Sequence, residues 1–157
     1  MQAIYPRYRI KSGDIQLNNI AHAKKKKEKG IKLPKGSASI YVGWLGAEIV
    51  TLFNSKQLRK FAKAMGVHPN DQFVTDADFV GGMASIVHGK DGYPCFTLFL
   101  PSGKRRVVIH ECVHMVHMIF DSRGIPLTES NTEAIAYMTD HLCEVVFGLF
   151  DKKAGNA

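Results

Sequence analysis

Cysteine is scarce: Cys95, Cys112 and Cys143 are the only three in 157 residues. An odd, low count argues against a disulfide scaffold and for a reducing compartment. Long apolar runs are also missing. Stretches such as Ser39–Leu45 and Phe96–Leu100 fall far short of the ~18 residues that a membrane span requires. Residues 1–30 contain no apolar segment of the secretory kind, so no classical signal peptide and no membrane association are expected. No internal repeat is visible. At 17.4 kDa the chain has room for one compact domain. An apolar content of 45% supplies a core, and 10% aromatics argue against disorder over most of the length.

Negative charge is nearly absent from the first 35 residues. They hold ten Lys/Arg against Asp14 and Glu28, a balance of +8, whereas Gly36–Ala157 holds eleven against twelve, a balance of −1. The high pI therefore belongs to an arm, expected over residues 1–36 as an extended or partly disordered segment. Its dense part is Lys24, Lys25, Lys26, Lys27 and Lys29. These lysines repel one another, and they suit a polyanion whose counterions they would displace. No aromatic residues interleave with them, so base stacking and sequence-specific recognition are not expected.

The body, residues 37–150, reads as α+β. Ile40–Val42 and Glu48–Phe53 have strand composition around Gly43 and Gly46. Asn54 or Ser55 caps a helix whose apolar face is Leu58, Phe61, Ala62 and Met65, and Gly66 stops it. Residues 67–79 read as a loop. Gly82–Val87 and Phe96–Leu100 form a hairpin, followed by helices from Arg106 to about Ser122 and from about Asn131 to Phe150. Residues 151–157 are left as a tail.

The first of those helices contains His110-Glu111-Cys112-Val113-His114, an HExxH motif. Positions i and i+4 share a helix face one turn apart, so His110 and His114 can direct imidazole nitrogens at one ion. Glu111 lies one step round the helix, where it can act as general base on an attacking water. Seven histidines and six glutamates would produce this pattern by chance in roughly one shuffled chain per hundred. A third ligand therefore decides its meaning. A two-His, one-carboxylate set is also compatible with iron, cobalt or nickel, although HExxH on a helix favours zinc.

Eighteen residues separate His114 from Glu133, which opens Glu133-Ala134-Ile135-Ala136. HExxH, eighteen residues, then glutamate resembles the gluzincin class of zinc peptidases, and the Glu-Ala-Ile-Ala stretch resembles the glutamate helix of thermolysin-like enzymes. The metzincin alternative would place Gly at 117 and His at 120, where this chain has His117 and Phe120. The strand–helix–hairpin lead-in, His-Glu-Cys-Val-His, the Gly-Ile-Pro turn and Glu-Ala-Ile-Ala-Tyr together are similar to small zincin-like proteins encoded by bacteriophages and prophages. This likeness covers roughly residues 38–147. It implies a small zincin-like domain in which a short mixed sheet packs on the HExxH helix and a glutamate helix. It also implies one zinc per chain, held by His110, His114 and Glu133, in a bacterial host cytoplasm or a virion.

Further expectations follow from that likeness. Tyr137 stands where thermolysin-like enzymes carry an aspartate, and becomes a candidate oxyanion donor. Asp140, His141 and His117 are candidates to support the ligands through hydrogen bonds. Met83, Ala84 and Ser85 occupy the place of the gluzincin edge strand, where an extended peptide adds as one more strand. Cys112 and Cys143 read as packing residues. The expected function is zinc-dependent hydrolysis of a peptide or protein substrate. The alternative is a phage virion or assembly protein on a zincin-like scaffold, with a structural or vestigial metal site. Its basic arm would bind nucleic acid or phage structural proteins.

Overall fold

The computed structural model describes residues 32–90, 92 and 94–155. It is an α+β arrangement of a small four-stranded mixed sheet and four helices. Strands β1 (Ala38–Val42) and β2 (Ala47–Leu52) pair antiparallel around a 3-10 turn at Gly43–Leu45, with Ile40 opposite Ile49. Gly46 closes the turn at φ +58°, in the left-handed region where a Cβ would be strained. Strands β3 (Met83–His88) and β4 (Pro94–Phe99) form the second hairpin. β4 docks parallel to β2, with Ile49 opposite Phe96, and the strand order is β1-β2-β4-β3. Both β1 and β3 are therefore sheet edges.

Helix α1 (Ser55–Met65) forms where the local signals placed it. The Asn54 side chain accepts from the Gln57 amide, and Gly66 ends the helix in the left-handed conformation. Leu58, Phe61, Ala62 and Met65 are all buried. Residues 67–79, expected as a loop, instead include the short helix α2 (Gln72–Thr75) and a 3-10 turn at Asp76–Asp78. The Asp71 side chain caps α2 by accepting from the Phe73 amide, and Phe73, Val74 and Ala77 sink into the core. Asp78 pairs with Arg59 of α1, which ties this segment down.

Alternation along the strands divides the core in two. Ile49, Phe96 and Leu98 face a layer formed by α3 (Arg105–Ser122) and α4 (Thr132–Gly155), packing with Val108, Cys112, Met115, Ile119, Leu142 and Val146. On the other face, Val50, Leu52 and Phe99 pack with Leu58, Phe61 and Met65 of α1 and with Phe73 and Val74.

Both ends of the body differ from expectation. Residues 32–36, assigned to the arm, are joined to it: Leu33 packs on the α1-side core, and Gln57 Nε2 donates to the Lys35 carbonyl at 2.9 Å. The remainder of the arm, including Lys24, Lys25, Lys26, Lys27 and Lys29, lies outside the described residues. α4 continues past Phe150 through Gly155, because Phe150 stacks edge-on against Phe53 and Lys153 Nζ sits 3.6 Å from the Phe53 ring centroid. Among the described residues no helix is long and apolar enough to cross a membrane.

Candidate functional site

Helix α3 begins without help from a cap. The Lys104 side chain makes no capping bond, and Arg105 and Arg106 put positive charge where the helix dipole disfavours it. Packing compensates, since Val108, Cys112, Met115, Val116, Ile119 and Phe120 recur at helical spacing and are buried. At the other end Arg123 donates through Nε to the Leu45 carbonyl (2.8 Å) and through Nη2 to the Gly46 carbonyl (3.0 Å). These bonds lock the end of α3 to the β1–β2 turn.

With that face buried, His110 and His114 emerge exposed on the opposite one. Their Nε2 atoms stand 3.1 Å apart, with ring planes at 78°. Two nitrogens on one tetrahedral zinc, each about 2.0–2.1 Å away, would stand about 3.4 Å apart. The pair thus fits two positions of a metal site. The same separation also suits an N–H···N hydrogen bond between the rings.

Glu111 is turned toward β3 and is only 9% exposed. Its stem lies against Gly82: a Cβ built on that glycine would be 2.9 Å from Glu111 Cγ and 3.4 Å from Oε1. Among the described residues its carboxylate has no ion-pair partner, and neither oxygen is a buried unpaired atom. The carboxylate is held by its stem and open at its tip.

Glu133 does not join the pair. It stands exposed in the first turn of α4, and among the described residues no three His, Cys, Asp or Glu side chains gather as a metal site. The reason is how α4 packs. Cys112 and Cys143 are buried side by side in the same cluster, and the Arg105 guanidinium lies 5.3 Å from the Phe147 ring centroid. α4 therefore runs antiparallel to α3, on the side that Cys112 faces. His110 and His114 are each two residues from Cys112, about 160° round the helix on the far side. Along the axis, Glu133 is ten residues from Cys143, about 15 Å.

Tyr137 is 72% exposed, and Asp140 and His141 are also exposed on α4. His117 is half-buried one turn beyond His114. Among the described residues, no hydrogen bond links any of these four to His110 or His114. Met83, Ala84 and Ser85 lie half-buried on β3, which among the described strands pairs with β4 alone. Burial pushes the Cys112 thiol well above its ordinary range and raises that of Cys143, as suits packing residues. A depression of about 330 Å³ lined by Gly103, Arg105, Phe147 and Asp151 has no counterpart in the sequence reading, because its residues are far apart in the chain and form no motif. It contains none of the candidate site residues.

Comparisons with protein-family models, with curated proteins and with solved structures find no match to this chain.

Proposed function

We propose that the protein is a zinc-dependent peptidase of gluzincin type, one of the small zincin-like proteins encoded by phages or prophages. The observation that carries this reading is the 3.1 Å separation of His110 Nε2 and His114 Nε2, with the open carboxylate of Glu111 one residue away. His110 and His114 would hold the ion, which would supply Lewis acidity toward a substrate carbonyl. Glu111 takes the proton from the attacking water and passes it to the leaving amine nitrogen. The edge of β3 offers unpaired backbone groups to an extended peptide. Glu133 is the third ligand that the motif spacing nominates, so the reading requires the first turn of α4 to move toward the pair when metal binds.

A second reading has its own support, because no third ligand stands with the pair among the described residues. On that reading the HExxH helix is a scaffold in an accessory or virion protein, and partner binding falls to the arm lysines. One experiment separates the two. Zinc content is measured by elemental mass spectrometry, and hydrolysis of labelled casein is assayed in parallel. The peptidase reading expects about one zinc per chain in the wild type and in Glu111→Gln, and loss of zinc from His114→Ala and Glu133→Ala. Turnover falls 10²–10⁴-fold in Glu111→Gln, roughly the contribution of a general base. Wild-type protein that stays zinc-free after loading and dialysis gives the scaffold reading.

A further inference from the structure

We infer that Gly82 is a positioning residue for Glu111, chosen for the space it leaves and not for its backbone conformation. The inference rests on the reading of Glu111 as the group that carries the proton. Gly82 is not among the glycines with positive φ, so a side chain there meets no backbone penalty. What it meets is α3: an added Cβ would lie 2.6 Å from Val107 Cγ1 and 2.9 Å from Glu111 Cγ, closer than real Cβ contacts come. The neighbouring Gly81 is different, because a Cβ there would find Val107 Cγ2 at an ordinary 3.7 Å.

The consequence lies in the geometry of Glu111. Its stem lies against the entry to β3, which fixes the direction of the side chain, and among the described residues its oxygens have no ion-pair partner. A methyl group at position 82 forces Glu111 to another rotamer, carrying the carboxylate away from the position it holds against Gly82. Displacement by about 1 Å is enough to lower turnover about 100-fold.

The test compares Gly82→Ala with Gly81→Ala in the full chain. The first readout is the side-chain carboxyl ¹³C resonance of Glu111, assigned by its loss in Glu111→Gln. The second is casein hydrolysis together with zinc content. In Gly82→Ala the Glu111 resonance shifts, and kcat falls about 100-fold with KM and zinc unchanged, while Gly81→Ala matches the wild type in every readout. The double variant Gly82→Ala/Val107→Ala removes the closest clash yet keeps the shifted resonance, because the contact with Glu111 remains. An unmoved Glu111 resonance in Gly82→Ala, an equal shift in Gly81→Ala, or recovery of the resonance in the double variant overturns the inference. A wild type without zinc or turnover would refute the peptidase reading alone, and the resonance would still decide the role of Gly82.

Discussion

Two threonines at the centre of the sheet should respond in opposite directions to the same substitution. Thr51 and Thr97 are both fully buried on adjacent parallel strands, but the register sets Thr51 opposite Leu98 and Thr97 opposite Val50, so their side chains face opposite cores. The Thr97 hydroxyl donates to the Cys95 carbonyl at 3.4 Å. Thr51 Oγ1 is the one buried side-chain polar atom among the described residues with no partner. Leaving a buried hydroxyl unpaired costs about 1–3 kcal/mol, whereas a formed hydrogen bond contributes about 0.5–1.5 kcal/mol. Valine keeps the β-branched shape that a strand favours and replaces the hydroxyl with a methyl. Thr51→Val is therefore expected to stabilise the protein by about 1–2 kcal/mol, and Thr97→Val to destabilise it by about 0.5–1 kcal/mol. Urea unfolding of both variants at constant m-value would resolve a gap of about 2 kcal/mol. Loss of stability in Thr51→Val, or equal shifts in the two variants, would refute the reasoning.

Glu48 supplies a pH-dependent test. Burial pushes its carboxyl above the ordinary 4.5, against the opposing effect of the hydrogen bond from Ser39. The folded state then holds this proton more tightly than the unfolded chain. The contribution of Glu48 to stability is fullest below 4.5 and is lost as pH rises through the raised folded value. Glu48→Gln keeps an acceptor for Ser39, so it should exceed the wild type in stability at pH 7 and lose that advantage at about pH 4, as read by urea unfolding at both. Asn54→Ala removes the cap of α1 and should cost about 1 kcal/mol in thermal unfolding, with Asn54→Asp close to wild type. Arg123→Ala frees two carbonyls of the β1–β2 turn and should speed amide exchange at Gly43–Gly46 while leaving α1 unaffected.

Local chemistry was legible in the amino-acid order. Asn54 and Gly66 bracket α1 because a side-chain acceptor and a left-handed glycine act within one turn of the chain. The side-by-side placement of His110 and His114 follows from helical pitch once the apolar stripe of α3 is recognised. The α2 segment was obscured because Pro69-Asn70-Asp71 reads as a turn, while burial of Phe73 and Val74 depends on α1 being present to receive them. Three features belong to tertiary structure alone. The parallel pairing of β2 with β4 joins strands separated by α1, α2 and β3, and no local signal specifies that register. The open edge at β3 follows from it. The third is the side of α3 on which α4 packs. Spacing in the chain brings Glu133 within sequence range of His114, but the Cys112–Cys143 contact sets the register of the two helices and puts α4 behind the histidine pair. Sequence distance limits how far apart two groups can be, and only the packing of apolar faces decides whether they meet.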